Sequence, residues 1–344
     1  MNLYNKIKDV NKKISVMAKL NCKYLGLDLK NPIIVGSCGL TNNIEKMKEM
    51  ENNGAAAIVL KSIFEEQITN EVLQAVQDVS YEVSYRDALD YIKGYTEMAS
   101  YQKYTDLIRQ AKSCLQIPII ASINCTSSGD WTAYAKRIED AGADALELNL
   151  FFLPSNFEKT SLQYEETYFK IIEKVRTAVS IPLAVKVSHY FSGLANTIRT
   201  ISRMNINGLV LFNRFYSPDI DIDNLTTKGA PIFEECSNFY ETLRWIALLD
   251  KHVSCDLCAT SGIAEGKDVI KQILVGAEAV QIVSTIYNKG ISQIATILED
   301  VNNWMIKHNF ETIDQFKGKM SYKDIAHSEA FLRVQFMKHF AGIE

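Results

Sequence analysis

"EDAGADALEL", residues 139–148, runs from the end of a charged amphipathic segment through Gly142 into an apolar stretch. The same passage recurs as "NNGAAAIVL" (52–60), "NINGLVL" (205–211) and "LVGAEAVQI" (274–282). Each reads as a helix end, a small residue or glycine, then a strand. Because these junctions look equivalent along the chain, they favour a closed barrel of βα units over an open sheet.

Working outward, eight short runs rich in Val, Ile, Leu and Ala have the composition of strands buried on both faces. They are "IIVGS" (33–37), "AAAIVLK" (55–61), "PIIASIN" (118–124), "ALELNL" (145–150), "PLAVKVS" (182–188), "GLVLFN" (208–213), "DLCATSG" (256–262) and "AVQIVS" (279–284). Helical spacing fills the intervals, including 42–55, 130–143, 163–179, 193–205, 237–250, 265–275 and 290–306. The expectation is an α/β fold of the TIM (β/α)8 barrel type, a single domain over 1–344 with its core at about 20–307. "KLNCKYLGLDLKNP" (19–32) reads as an N-terminal hairpin plugging the barrel bottom, and 308–344 as a C-terminal helical extension packed outside. Long βα loops follow the second predicted strand (62–102) and the sixth (214–236). The first holds six tyrosines between 81 and 104, suited to a lid or to a packing or dimer surface.

Of the 344 residues, 47% are hydrophobic and 23% charged, with a net charge of −4. That balance argues against nucleic acid or an anionic membrane as the main partner. The first twenty residues lack a signal-peptide core and no apolar run reaches membrane length, so a cytoplasmic protein is expected. Seven dispersed cysteines read as free thiols. Cys255 and Cys258 have CxxC spacing, but in a strand residues three apart face opposite ways.

In a barrel, residues closing the strands face the site. Here they include Ser37, Lys61 and Ser62, Asn124, Asn149, Lys186, and Asn213 with Arg214. Carboxylates are scarce among them, Glu147 being the candidate, and the five histidines are scattered; no metal is expected. Lys186 inside "LAVKVS" is open to three readings: a Schiff-base nucleophile, a cation for an anionic ligand, or a salt-bridge partner for Glu147. The last two strands end in Ser261-Gly262 and Ser284-Thr285. Small hydroxyl residues and glycine there suit a phosphate held by backbone N–H groups. Phosphate beside lysines and amides fits a planar cofactor such as FMN, whose reduced ring needs a cation near N1 and O2.

These phrases, with "VLKSIFEEQ", "LELNL", "ATSGIAEGKDVIKQILVGAEAVQI" and "ETIDQFKGK", resemble the dihydroorotate dehydrogenase family of FMN-dependent barrels from about residue 20 to 320. The resemblance implies an FMN-dependent oxidoreductase that oxidises dihydroorotate to orotate by hydride transfer to flavin N5. Ser37, Lys61, Ser62, Asn124, Asn149 and Lys186 would surround the isoalloxazine and ribityl groups. Ser261, Gly262, Ser284 and Thr285 would take the phosphate. Asn156, Asn213 and Arg214 would meet the substrate, and a homodimer is implied by analogy.

The likeness is interrupted after "LELNL". Aligned without gaps, Phe152 takes the position of the family's catalytic Cys or Ser. With two residues inserted, Pro154 and Asn156 match the family's Pro and Asn, and Ser155 becomes the nearest hydroxyl to serve as base. The family's Asn-x-x-Gly-x-Pro-Asn loop is replaced by "DYIKGYTEMASYQ" (90–102). A different dihydropyrimidine or anionic substrate, a flavin-binding barrel without turnover, and a Schiff-base aldolase using Lys186 are the competing readings.

Overall fold

The computed structural model describes residues 18–64, 86–125, 131–214, 218–229 and 238–324, with positions 67, 70, 71, 74, 331 and 332. An antiparallel hairpin comes first, β1 (Cys22–Tyr24) against β2 (Leu27–Leu29). Parallel strands follow: β3 (Ile33–Val35), β4 (Ala57–Val59), β5 (Ile63–Phe64), β6 (Ile119–Cys125), β7 (Ala145–Leu150), β8 (Leu183–Val187) and β9 (Gly208–Leu211). An outlying hairpin, β10 (Pro218–Asp221) with β11 (Thr226–Gly229), precedes β12 (Asp256–Thr260) and β13 (Ala279–Ile282). The ring order is β3–β4–β6–β7–β8–β9–β12–β13, and β13 pairs back with β3. The sheet closes into the (β/α)8 barrel that the junctions pointed to.

Helices clothe the ring: α1 (Ile44–Asn52), α2 (Arg86–Cys114), α3 (Trp131–Asp140), α4 (Ser161–Ala178), α5 (Leu194–Ser202), α6 (Phe239–Leu249), α7 (Gly266–Leu274), α8 (Ser284–Lys289) and α9 (Gln293–Lys307). Three of the four junction phrases place their glycine in the left-handed region, Gly54 at φ 104°, Gly142 at 93° and Gly276 at 120°. There glycine avoids the Cβ penalty of ending a helix. The fourth junction works differently. Asn205 takes the left-handed turn at φ 56°, and Gly208 opens β9 instead. A Cβ on Gly208 would sit 2.5 Å from Leu25 Cδ2, so this glycine makes room for the hairpin.

That hairpin closes the barrel from below. Tyr24, Leu25 and Leu29 are buried against the small inward residues Ala57, Ala145, Ala184 and Ala279. Alanines at the narrow end leave the volume that one tyrosine and two leucines fill. Cys258 lies in this inner cluster while Cys255 packs into the outer layer between strands and helices, so the two thiols do face apart.

One expectation needs correction. The tyrosine-rich insertion is not a plain loop, because α2 begins at Arg86. Tyr101 stacks on Tyr134 at 4.4 Å, and Tyr104 bonds the backbone of Ser122. Those two tyrosines belong to the barrel wall; Tyr81 and Tyr85 lie outside the described residues. Beyond 307 the described chain passes through a single 3-10 helical turn at Ile313–Gln315, with Ile313 and Phe316 fully buried and Lys19 bridged to Thr312. The stretch "SEAFLRVQFMKHF" (328–340) falls almost wholly outside the described residues.

Candidate active site

A cavity of about 310 Å3 opens at the C-terminal ends of the strands. Strand alternation aims every second side chain of a barrel strand inward. That rule puts Asn149 of β7 and Lys186 of β8 in register with each other and on the cavity wall. Asn213, just past β9, completes this side: its Nδ2 donates to Asn149 Oδ1 at 2.5 Å, and its own backbone N–H donates to Val187 O at 2.8 Å. Arg214 lines the same wall.

Beneath them the barrel interior carries charge. Glu147 is 1% exposed. Its Oε2 accepts from Gln281 Nε2 at 2.5 Å, and Gln281 Oε1 accepts from Lys186 Nζ at 3.2 Å. The direct distance from Lys186 Nζ to Glu147 Oε1 is 3.9 Å, and that oxygen has no hydrogen-bond partner. Burial pushes the Tyr24 phenol and the Cys258 thiol well above their usual ranges, and the Glu147 carboxylate adds to both shifts.

The opposite wall is built from hydroxyls and tight turns. Ser37 and Ser62 share a hydrogen bond at 3.0 Å, and Ser62 continues to Ser122 at 2.7 Å. Ser261 and Gly262 follow the end of β12 at φ 77° and 70°. At Gly262 a Cβ would meet Phe239 Cβ at 2.8 Å, so the backbone there approaches the start of α6 as only glycine allows. Ser284 and Thr285 were read as a strand end but form the first turn of the short helix α8, since β13 stops at Ile282. A short helix after the last barrel strand commonly frames a phosphate in this architecture. Thr285 Oγ1 donates to Ala264 O at 3.3 Å.

Ten of the residues singled out in the sequence line this one cavity: Ser37, Ser62, Asn149, Lys186, Asn213, Arg214, Ser261, Gly262, Ser284 and Thr285. Four do not. Lys61 turns into a neighbouring cavity of about 170 Å3 beside Lys103 and Glu71, with Ser62 common to both. Asn124 is buried in register with Asn149, its Oδ1 without a partner. Ser155 and Asn156 sit on an exposed loop; Ser155 Oγ makes a long bond to Leu153 O at 3.5 Å, and Asn156 N–H donates to Tyr164 OH at 3.0 Å. Phe152 packs outward, its ring 4.9 Å from that of Tyr168 at 81°. Gln281 was missed. The signal was present in "AVQIV", a polar residue at an inward position of an apolar strand, as Glu147 and Lys186 are in theirs.

The sequence model of one family, Dihydroorotate dehydrogenase, matches residues 19–305. The chain belongs to the dihydroorotate dehydrogenase family. Members of that family are flavin-dependent oxidoreductases acting on CH–CH groups. Among curated relatives, the dihydroorotate dehydrogenase B (NAD(+)) catalytic subunit of Thermoplasma acidophilum is 25% identical over 319 residues, 88% of this chain and 99% of the relative. The chloroplastic dihydropyrimidine dehydrogenase (NADP(+)) of Arabidopsis thaliana is 23% identical over 331 residues, 85% of this chain and 75% of that protein. A putative dihydroorotate dehydrogenase A (fumarate) of Aeropyrum pernix is 23% identical over 230 residues, 63% of this chain and 72% of its own length. Among the described residues of this family member, no helix is long and apolar enough to cross a membrane.

Proposed function

We propose that this chain oxidises dihydroorotate to orotate, a step of pyrimidine biosynthesis, with FMN as its cofactor. One observation carries the reading: a single cavity joins the Lys186–Asn149–Asn213 wall to the Ser261–Gly262 and Ser284–Thr285 turns. The residues fit such a cofactor. Lys186 offers a cation, the paired asparagines offer an amide donor and acceptor, and the left-handed Ser261–Gly262 turn leaves backbone free to approach a phosphate. A bound flavin supplies the hydride acceptor.

The chain's own residues do the rest. Lys186 stabilises negative charge at the cavity floor. Arg214, at the mouth, suits a substrate carboxylate, for which its planar fork is matched. Among the described residues lining the cavity the charged side chains are Lys186 and Arg214, and in their charged forms both are donors. Neither of these two can take the substrate proton. We assign it to Ser155, brought in by folding of the exposed loop 151–160 over the mouth; its long bond to Leu153 O holds it weakly.

The test is anaerobic. The purified protein should show flavin absorbance that dihydroorotate bleaches, and a colourless protein, or a yellow one that dihydroorotate leaves unchanged, would sink the reading. A second substrate, another dihydropyrimidine, is favoured by Phe152 at the position of the family's base. Bleaching by dihydrouracil or dihydrothymine but not by dihydroorotate would select it. One domain, a cytoplasmic location and a homodimer belong to the same proposal. So does an electron-accepting partner subunit, because the Thermoplasma relative is named as a catalytic subunit.

A further inference from the structure

Glu147 is a carboxylate at 1% exposure inside an apolar barrel, a placement costing several kcal/mol unless compensated. Its compensation is incomplete. Oε2 has Gln281, but Oε1 has no hydrogen-bond partner and lies 3.9 Å from the Lys186 ammonium, beyond hydrogen-bond reach. Gln281 stands between the two charges with its amide oriented by both, donating to Glu147 and accepting from Lys186. A glutamine so held has one orientation. Its oxygen faces the ammonium, and the Lys186 side chain is 11% exposed on the cavity wall.

Among the described residues, the groups that feel the Glu147 charge include no cation besides Lys186. Tyr24 from the β1–β2 hairpin, Tyr104 from α2 and Cys258 from β12 all feel the Glu147 charge, and each is a neutral group whose titration the carboxylate pushes upward. Ser122 of β6 is the cross-strand neighbour of Glu147. Lys186 on β8 is therefore the positive group placed to balance it.

We propose that Glu147 is a positioning residue that, through Gln281, fixes the Lys186 ammonium at the cavity floor beneath the anionic group bound above. The proposal rests on the reading of that cavity as a flavin site, but its central test does not need the flavin. In apoprotein, acetylation of Lys186 by acetic anhydride is followed by mass spectrometry between pH 6 and 10. Glu147→Gln removes the countercharge and keeps the shape, so a Lys186 amine no longer held in place should be labelled about tenfold faster at pH 7. Identical labelling profiles in wild type and variant would overturn the proposal.

FMN titration gives a second readout. Glu147→Gln should weaken the Kd for FMN about tenfold, and Gln281→Leu should do the same by breaking the link. A wild type that takes up no FMN would remove the flavin reading while the labelling profile still decides the role of Glu147. Should Glu147→Gln fail to fold, the double variant Glu147→Gln with Lys186→Met supplies the answer. A recovered Tm supports a carboxylate whose job is to hold Lys186, and no recovery overturns it.

Discussion

Asn213 reaches over an intervening strand to Asn149: Nδ2 and Oδ1 are 2.5 Å apart, although β8 lies between β7 and β9. The bond consumes the oxygen of Asn149 and a donor of Asn213. What the cavity meets is therefore the amine of Asn149 and the oxygen of Asn213, a donor–acceptor pair matched to a pyrimidine edge. Asn149→Asp keeps the bond to Asn213 but replaces the donor with a charge. It should leave the Tm nearly unchanged and weaken FMN binding at least about tenfold, in line with about 1–3 kcal/mol for an unmade buried bond. Fluorescence titration of apoprotein with FMN checks this, and an unaltered Kd would remove Asn149 from the flavin face.

Lys186→Ala strands the Glu147 carboxylate. Taking one partner from a buried ion pair costs about 3–5 kcal/mol, so the variant should melt well below wild type. It should also lose FMN on gel filtration, and any retained flavin should be reduced more slowly. Retained FMN with unchanged stopped-flow reduction would refute the assigned role.

Ser155→Ala examines the proton acceptor. Loss of a general base is worth about 10²–10⁴-fold, and the loss should fall on flavin reduction rather than on FMN binding. A rate within twofold of wild type would show that the proton leaves through another group.

The ring was legible in the sequence because its signal is repetitive. Gly54, Gly142 and Gly276 end three helices by one chemistry, and the strands between are apolar on both faces. The cavity wall was legible for a related reason: polar residues at strand ends stand out against such strands. Other features were hidden where the deciding contact is distant in sequence. Gly208 looked like another helix cap, yet its neighbour is Leu25 of the plug. Lys61 sits at a strand end like the rest, but which cavity its long side chain enters depends on α2 and Lys103. Gln281 gains meaning only from Glu147, 134 residues earlier.

Acid should attack the barrel at Glu139. The bond from Lys136, then those from Ser180 and the Ile181 backbone, pull its carboxyl from the usual 4.5 down to about 2. A depressed carboxyl stabilises the fold above its unfolded pKa, and that contribution drains as pH falls from about 4.5 through about 2. Glu139→Gln should cost about 1–3 kcal/mol at pH 7. The gap between wild type and variant in urea unfolding should narrow across that acid window, and a gap independent of pH would show that the ionised form is not what matters.

Tyr24, Leu25 and Leu29 seal the lower end of the barrel, so among the described residues the cavity is approached from the C-terminal ends of the strands. Whatever enters first must be the last to leave. On the proposed reading, a flavin seated on the floor beside Lys186 is then locked in by each pyrimidine that queues above it. Its residence time should lengthen as substrate or product accumulates, and the apoprotein should refill slowest when orotate is abundant.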